Sequence, residues 1–522
     1  MQVVVKMNIE SAENPVVRAF IENQVKFPAD FRTQICEEDE MYLYSLSNVD
    51  NDRDRALVRY YAIGRRILDS IKQIVEWHFD SFENVSSFLD FACGYGRFTR
   101  FLIQELPPEK IWVSDIYANA VKFQQEHFNV NGIISTKNPE NYVVDRKFDC
   151  ILACSFFSHM PEKTFVNWMQ NLYDLLSPQG LIMFSVLDME LLPPEVPIPP
   201  SGIVFSPRSE SRYLDKEEYG TTYVTEAYIN QVIAQVSDGK AVVHRIPKGI
   251  SRYQDLYLVS NAKVKDFSSL NFRHHPEGYL EIAYITPTDK INLEGWAADI
   301  NQDGRLEEVQ VLVNGQLMQK CLPFENREDV AQHFKTNTVL NSGWSCYLGR
   351  GMVLPDDVVM IKAINNYGLE WIIENCKLQS LLNIKESQTK LLSTEAKLEQ
   401  TQIQLLSTEE KLAQTQIQLS STEEKLEQTQ NQLLFTQDKL EQTQNRLLST
   451  EEKLAQTEVQ LSQTQMQVQI EIANNQAQKE QLQSQILRMQ NRIMAMESSK
   501  FWKMRLAWFR VKRKIGLAGE NE

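Results

Sequence analysis

The chain has 522 residues, and it contains neither glycine nor proline between Gly368 and Gly516. These two residue types interrupt helices most strongly, so their absence over such a length permits continuous helix. The sequence also lacks any apolar run near the roughly 18 residues that a membrane span requires. Its first residues, MQVVVKMNIE, lack the apolar core of a secretion signal. We therefore expect a cytoplasmic protein.

Cysteine is scarce, and its spacing points away from metal. The seven cysteines form no Cys-x-x-Cys pair, which argues against a zinc site and a disulfide framework. One run, Asp299-x-Asn301-x-Asp303-Gly304, matches the first half of a calcium loop, but Gln310 stands where the closing glutamate is required. We interpret this run as a polar hairpin loop and expect no bound metal.

The C-terminal region is organised by a seven-residue repeat. Eleven leucines recur at every seventh position, namely Leu391, Leu398, Leu405, Leu412, Leu419, Leu426, Leu433, Leu440, Leu447, Leu454 and Leu461. A threonine follows each of them by three residues. This spacing puts leucine at position a and threonine at position d of a heptad. We predict one long α-helical coiled coil over residues 380–499 that mediates self-association. The alternative is a Gln/Thr-rich low-complexity segment without a partner.

Basic residues are in deficit overall but concentrate at the C-terminus. The chain has 54 Lys and Arg against 69 Asp and Glu, a formal charge of −15, which argues against a nucleic-acid partner. Seven basic residues and several aromatic ones fall within residues 500–517. Such an amphipathic tail, residues 500–522, suits an anionic membrane surface or a protein partner such as a glycosyltransferase. It would then hold the protein at the inner membrane face; the alternative is a cap packed within the oligomer.

Residues 278–377 have the pattern of short β-strands. Val309, Val311 and Val313 alternate on one face, and the Asn314-Gly315 pair that follows is typical of a hairpin turn. Strands at this spacing predict a small β-sandwich. The runs GWAADI and VQVLVNG resemble an immunoglobulin-like module appended to bacterial carbohydrate-modifying transferases.

Residues 85–262 alternate strand and helix patterns, which predicts a doubly wound α/β sheet after an N-terminal helical cap, residues 1–84. Asp90 ends one strand, a tight loop with Gly94 and Gly96 leads into a helix, and Asp115 ends the next strand. Glycine allows a ligand to approach the backbone, and an acid on the neighbouring strand can accept hydrogen bonds from ribose hydroxyls. A dinucleotide-binding loop has a third glycine at the position that Thr99 occupies here, so this loop departs from the dinucleotide pattern.

The run DFACGYGR resembles the D/E-x-G-x-G-x-G loop of class I S-adenosylmethionine-dependent methyltransferases, with Ala92 in place of the first glycine. The resemblance implies a Rossmann-like fold with an antiparallel last strand at residues 254–259. It also implies S-adenosylmethionine as the cofactor. The cofactor-binding residues that it implies are Asp90, Ala92, Cys93, Gly94, Gly96, Asp115, Ile116 and Ser155.

The stretch from Ser155 to Pro161 resembles the S-x-x-x-H-x-P run of many such enzymes and contains His159. Imidazole can act as a base near neutral pH, so His159 is the candidate catalytic residue; a structural role is the alternative. Asp188 and Glu190 are second choices. The proline-rich insert, residues 191–223, is too long for a plain connection, and we expect a lid or an acceptor-binding loop.

This arrangement is similar to that of enzymes that methylate growing surface polysaccharides, a likeness of plan only. We therefore expect methyl transfer to a glycan or a lipid-linked acceptor. Two alternatives remain open: a non-catalytic coiled-coil scaffold that retains the fold, and a small-molecule methyltransferase with an oligomerisation tail.

Overall fold

A computed structural model describes most of the chain: residues 8–9, 13–49, 51–193, 195–207, 214–251, 253–261, 265–301, 304–323, 325–432 and 437–497. The chain divides into two compact units: the head, Met1–Leu381 with Leu482–Glu522, and the rod, Leu382–Gln481. No helix in the described ranges is long and apolar enough to cross a membrane. The predicted basic tail, residues 500–522, lies outside the described residues.

The N-terminal region of the head is mainly helical. Its elements are β1 (Asn8–Ile9), α1 (Pro15–Gln24), β2 (Ile35–Cys36), α2 (Glu40–Ser47) and α3 (Arg53–Phe79). Asp52 caps α3 by accepting the Arg55 N–H, and Asp80 ends the helix in a left-handed conformation. Gly64 lies in the middle of α3, where a β-carbon would come within 2.1 Å of the Arg97 carbonyl oxygen. Glycine there lets α3 approach the loop after the next strand closely.

The central domain is built on one large sheet. Its elements are β3 (Phe88–Phe91), α4 (Thr99–Leu102), β4 (Ile111–Asp115), α5 (Ala118–Phe128), β5 (Asn131–Ile134), β6 (Phe148–Ala153), α6 (Glu162–Asp174), β7 (Leu176–Asp188), β8 (Ile203–Ser206), β9 (Thr221–Val224), α7 (Glu226–Val236), β10 (Val242–Ser251) and β11 (Gln254–Ser260). The main strand order is β10-β11-β7-β6-β3-β4-β5.

This order confirms the predicted Rossmann-like sheet. Strands β3 to β7 run parallel, whereas β11 pairs antiparallel with β7, as the last strand was expected to do. Parallel strands buried on both faces read as continuous apolar runs, and Phe88–Phe91 is fully buried. The chain leaves β3 towards β4 on one side and returns to β6 on the other, so the strand order reverses at β3. Ligands of such sheets bind outside the carboxyl ends of the strands at this point.

The insert at residues 191–223 extends the sheet. Its strands β8 and β9 pair antiparallel, and β9 pairs parallel with the end of β7 through Leu187 and Asp188. The described part of the insert therefore includes a strand pair fixed to the carboxyl end of the sheet. A lid or acceptor-binding role for the insert stays a prediction.

A β-sandwich follows the central domain, as predicted. It contains β12 (Glu277–Ile285), β13 (Lys290–Ala298), β14 (Leu306–Val313), β15 (Gln316–Cys321), β16 (Glu325–Asn326), α8 (Glu328–Phe334), β17 (Asn341–Gly349), β18 (Val358–Asn365) and β19 (Glu370–Lys377). Its two sheets have the orders β12-β13-β17-β16 and β15-β14-β18-β19. Asn314 and Gly315 have φ of 49° and 80° and join β14 to β15, which confirms the predicted hairpin. The immunoglobulin-like assignment stays a prediction.

The sandwich packs against the N-terminal helices within the same compact unit. The Arg55 guanidinium lies 3.6 Å from a Glu374 carboxylate oxygen, and both side chains are buried. The Arg66 guanidinium lies over the Trp371 ring, 4.8 Å from its centroid. On the linker before the sandwich, His275 contacts Asp69 at 3.1 Å. Helix α3 therefore contacts both the central domain and the sandwich.

The rod consists of two helices instead of the single long helix that the repeat suggested: α9 (Leu378–Gln432) and α10 (Gln437–Glu497). The Gln416 side chain donates to Glu458 at 3.3 Å, and that of Gln465 donates to Glu409 at 2.6 Å. The second pair lies one heptad back along α9 and one heptad forward along α10, so these helices run antiparallel. The heptad period does not encode this reversal, because it is the same in both helices.

The two heptad positions behave differently in the rod. The described position-a leucines, such as Leu405, Leu412 and Leu454, are half-buried. Seven position-d threonines, at 401, 408, 415, 422, 450, 457 and 464, are exposed, and each donates its hydroxyl to the carbonyl four residues earlier. The position-a leucines are therefore more buried in the rod than these threonines. Association between copies stays a prediction.

Candidate active site

The predicted site residues meet at the carboxyl ends of β3, β4 and β6. The loop after β3 departs from ordinary backbone geometry three times, because Ala92, Gly94 and Gly96 have φ of 57°, 53° and 82°. Such left-handed conformations disfavour side chains. Ala92 nevertheless makes the turn that the first glycine of the motif would make. The helix after the loop, α4, is a single turn.

The two glycines of the loop serve different purposes. A β-carbon on Gly96 would lie 2.3 Å from Phe128 and 2.9 Å from Gln124. Gly96 is therefore required by packing against α5. A β-carbon on Gly94 would meet no atom within 4 Å among the described residues. Gly94 therefore faces open space, where a ligand can reach the backbone.

Asp115 joins the glycine loop to β4. One carboxylate oxygen accepts the Gly94 N–H at 2.8 Å, and the other accepts the Tyr117 N–H at 2.9 Å. Burial raises the pKa of Asp115 to about 6, although these N–H groups oppose the shift. Ile116 follows and is half-buried. The Cys93 N–H donates to the Ser114 carbonyl at 3.1 Å, so the loop is fixed to β4 from two directions.

Asp90 is the second buried acid of the site. It accepts the Thr99 hydroxyl at 2.7 Å. Burial raises the pKa of Asp90 to about 7, and the charge of Asp115 raises it further while Thr99 lowers it. Burial also raises the pKa of the neighbouring Cys93 thiol. Two buried carboxyl groups with raised pKa values favour a cationic ligand, because a positive charge would stabilise their ionised forms.

Arg100 supports the loop from below and was missed by the sequence analysis. This buried side chain donates to the carbonyls of Gly96 at 3.0 Å, Arg32 at 2.9 Å and Gln34 at 3.0 Å. Its guanidinium also lies over the Tyr60 ring, 5.2 Å from the centroid. Arg100 therefore connects the glycine loop to the N-terminal segment. A basic residue within the apolar run FTRFL was the available signal.

The N-terminal segment also contacts the outer side of the loops. The Tyr95 hydroxyl donates to Glu38 at 3.0 Å, and the Tyr117 hydroxyl donates to Glu40 at 3.2 Å. Tyr60 donates to Asp39 beneath them. Tyr95 and Tyr117 belong to the loops that follow β3 and β4. The described residues before α3 thus form one wall of the site, which motif analysis alone could not show.

Ser155 follows β6 in a left-handed conformation, with φ of 57°. Its N–H donates to the Ser185 hydroxyl at 2.7 Å, and its own hydroxyl donates to Gln254 at 2.9 Å. Ser185 also donates to Gln254 at 2.8 Å. Ser185 belongs to β7 and Gln254 begins β11, so three strand ends fix the predicted Ser155. No sequence motif pointed to Ser185 and Gln254.

His159 anchors the insert. Its Nδ1 lies 2.8 Å from the Gly220 carbonyl oxygen, and the Gly220 N–H donates to the His159 carbonyl at 2.8 Å. The imidazole also stacks on Tyr219, with centroids 4.8 Å apart and an angle of 6°. A carbonyl can only accept, so Nδ1 carries a proton and the neutral ring has its lone pair on Nε2. His159 therefore has a structural role. Its neutral tautomer can also accept a proton at Nε2, as a base must.

The second-choice acids and the calcium-like run have other contacts. Asp188 pairs with Arg245 at 2.8 Å and accepts the Glu190 N–H. Asp299 accepts the Asn301 N–H at 2.9 Å. That run joins β13 to β14 of the opposite sheet, so it is not a hairpin; Asp303 lies outside the described residues. The described part of the chain holds no group of three metal-ligating residues.

Comparisons with known proteins agree with this geometry. A family model described as a methyltransferase domain matches residues 89–182, from β3 into β7. A curated relative, malonyl-[acyl-carrier protein] O-methyltransferase of Calditerrivibrio nitroreducens, is 25% identical over 130 residues. The match covers 25% of this chain and 47% of the relative, so the chain spans about half the length of the curated relative that it matches.

Two solved structures are similar to part of the chain. An S-adenosylmethionine-dependent methyltransferase from Clostridium acetobutylicum is 15% identical over 37% of this chain and 90% of its own, with a TM-score of 0.28. The plantazolicin methyltransferase BamL is 15% identical over 47% and 98%, with a TM-score of 0.29. With overlaps this low, the assignment rests on the family match and on the strand order and loop geometry. Residues 89–182 therefore belong to a methyltransferase domain with a Rossmann-like sheet.

Proposed function

We propose that the protein is a methyltransferase that binds S-adenosylmethionine above Gly94. The observation that carries the proposal is the open space at Gly94, next to a backbone N–H that Asp115 holds in place. S-adenosylmethionine supplies the electrophilic methyl group. The chain's own residues bind and orient, and for a hydroxyl acceptor they also remove a proton.

Each predicted cofactor residue has a role in this proposal. Asp115 still has lone pairs for the ribose hydroxyls after accepting two N–H groups. Asp90 and Asp115 together provide the negative charge that a sulfonium ligand requires. The remaining members form the walls of the cleft: Ala92, Cys93 and Gly96 shape the loop, and Ile116 and Ser155 flank it on the neighbouring strands.

The experiment for cofactor binding is calorimetry with S-adenosylmethionine on the full chain. We expect binding, and we expect its loss in Asp115→Ala and Gly94→Val while the circular dichroism spectrum is kept. Leu317→Ala, on the sandwich, is the control and should bind as the wild type does. If the wild-type chain shows no binding, the non-catalytic scaffold replaces this proposal.

We further propose that the acceptor is a hydroxyl of a glycan or of a lipid-linked glycan intermediate, with His159 as the base. The hydrogen bond from Nδ1 to Gly220 supports this role, because it leaves the lone pair on Nε2. A second candidate is a carboxylate acceptor, because the curated relative is a malonyl-[acyl-carrier protein] O-methyltransferase. A carboxylate needs no base at neutral pH.

One variant separates the two acceptors. The Asn side chain in His159→Asn can still donate to Gly220, but it cannot accept a proton. A hydroxyl acceptor predicts a fall in kcat of about 100-fold or more, typical of losing a general base. A carboxylate acceptor predicts little change. Labelled methyl transfer into a glycan-lipid extract and into malonyl-acyl carrier protein, compared side by side, identifies the class; free small metabolites form the third arm.

We also propose that the rod mediates self-association. Apolar side chains that face away from the position-a leucines support this, because Ile403 and Ile417 on α9 and Val459 and Met466 on α10 are exposed. A two-helix hairpin leaves these apolar side chains exposed to solvent, whereas a bundle of more helices would bury them. Sedimentation of the full chain should give more than one copy. A monomer across the micromolar range would contradict the proposal.

The basic tail, residues 500–522, is proposed to dock on the inner face of the membrane or on a glycosyltransferase partner. Its composition supports this role, since seven basic residues alternate with aromatic ones. Flotation with vesicles that contain anionic lipid should recover the full chain and leave a chain shortened at residue 499 behind. Equal flotation of both chains would remove the membrane role.

A further inference from the structure

The outward face of one sandwich sheet has an aromatic and polar row with no role in the methyltransferase domain. Tyr284 on β12 pairs in register with Asn292 on β13, which pairs in turn with Tyr347 on β17. Residues directly opposite each other in a sheet project from the same face. Tyr284 and Tyr347 are 47% and 54% exposed, whereas Asn292 between them is fully buried. The row therefore presents two aromatic rings that flank a buried amide.

The amide is incompletely satisfied. The Asn292 Nδ2 donates to Glu294, but the Asn292 Oδ1 has no hydrogen-bond partner among the described residues. A buried acceptor without a partner is costly, and native structures rarely keep one without a reason. Because Tyr284 and Tyr347 are each about half exposed, their side chains can turn outward and expose this oxygen to a ligand.

The adjacent row is also polar and completes a shallow site. It contains Ile282, Glu294 and Ser345 in register, and Ser345 donates to Glu325 at 3.1 Å. Further along the same face, Trp296 is covered because its ring packs 5.9 Å from that of Phe334 in α8. The rows of Asn292 and Glu294 thus lie in a part of this face that α8 leaves uncovered.

We infer that this face binds a neutral oligosaccharide. One side of a pyranose ring carries C–H groups that pack on an aromatic ring, while its hydroxyls require donors and acceptors, and the row offers both. Strands β12 and β17 lie on either side of β13, so the two tyrosines are roughly 10 Å apart, enough to hold two linked sugar rings. The carboxylates of Glu294 and Glu325 disfavour acidic sugars.

The polar centre distinguishes this face from a docking surface for a second copy or an apolar helix. Such surfaces bury large apolar cores with few charges, whereas here the centre is an amide beside a carboxylate. The inference deepens the proposed function. Only the identity of the bound sugar rests on the proposed glycan acceptor. The sandwich would hold the growing glycan while the cleft at Gly94 acts on it.

The test is titration calorimetry of the full chain with three probes: β-linked tetrasaccharides of glucose and of N-acetylglucosamine, and a tetramer of galacturonic acid. We expect one neutral probe to bind and the acidic probe to bind at least tenfold more weakly. Tyr284→Ala and Tyr347→Ala should each weaken the neutral probe by about 3- to 10-fold, in line with the loss of one aromatic contact. Leu317→Ala, on the opposite sheet, should change nothing.

Each other outcome would overturn the inference: no neutral probe binds, both tyrosine variants bind as the wild type does, or they alter only the sedimentation coefficient, which would identify a contact between copies. Asn292→Leu, which fills the same space without the acceptor, should weaken binding while the melting temperature stays level or rises. S-adenosylmethionine titrated into the same samples keeps the proposals separate, because cofactor binding without sugar binding would refute this site alone.

Discussion

The glycine loop and the rod show two opposite ways in which a sequence specifies structure. In the loop, three residues take left-handed conformations, and partners from β4, α4 and the N-terminal segment hold them there. In the rod, the threonine hydroxyls bond to carbonyls four residues away, and the position-a leucines are only half-buried. The loop depends on distant residues, whereas the rod depends mainly on near ones. Mutations should therefore act strongly in the first region and weakly in the second.

The largest effects are expected from substitutions of the two loop glycines, and the two variants should lose different properties. Gly94→Ala places a methyl group in open space, so we expect the chain to fold and to lose S-adenosylmethionine binding by about 100-fold, with a backbone cost of only about 1–2 kcal/mol. Gly96→Ala clashes with Phe128, so we expect a large drop in melting temperature instead. Calorimetry and thermal melts on both variants check this. A similarly large drop in melting temperature for Gly94→Ala would contradict the assignment of open space.

The next effect concerns Arg100. Arg100→Met keeps the length of the side chain but removes the donor to the carbonyls of Arg32 and Gln34, while the Gly96 carbonyl keeps the backbone N–H of residue 100. Unpaired buried carbonyls cost about 1–3 kcal/mol each, so we expect a loss of about 3 kcal/mol or more in the free energy of unfolding. Urea unfolding followed by tryptophan fluorescence measures it. Leu412→Ala in the rod is the comparison and should leave the transition of the head unchanged.

A smaller effect is expected from pH. The pKa values of Asp90 and Asp115, about 7 and 6, belong to the chain without ligand, and a cationic ligand favours the ionised forms. Affinity for S-adenosylmethionine should therefore fall by about tenfold or more between pH 8 and pH 5. The free energy of unfolding should change with pH in the opposite direction. The stability that the protonated forms provide is lost as the pH rises through 6 to 7.

The control for this prediction is Asp90→Asn, whose amide oxygen can still accept from Thr99. Calorimetry at a series of pH values should show a shallower dependence in this variant, with the remaining change centred near the pKa of Asp115. An affinity of the wild-type chain that does not vary over this range would contradict the role of both acids.

The smallest effect is expected at position d of the rod. Thr415 is exposed and bonds only within its helix, so Thr415→Ala should change the stability of the rod by less than about 0.5 kcal/mol or stabilise it slightly. Leu412→Ala should cost about 1–2 kcal/mol, because the leucine is half-buried. Circular dichroism melts at 222 nm compare the two. A larger effect of Thr415→Ala would show that the threonines pack between copies.

The same comparison explains what could be predicted from the sequence. The alternation of strands and helices, the turn at Asn314 and Gly315 and the place of the glycine loop follow from local patterns, and the structure has them. Arg100, Ser185 and Gln254 could not be placed, because their partners are distant in sequence. The heptads predicted helix, but a repeat that is identical in both halves contains no information about where the chain reverses.

The shared helix α3 has a consequence for the history of this architecture. One side of it needs Gly64 to admit the Arg97 carbonyl, and another side carries Arg55 and Arg66 against Glu374 and Trp371. A chain shortened by removal of the sandwich would expose the cationic side of α3 to water. Recombination that exchanges the sandwich would therefore need matching changes in α3.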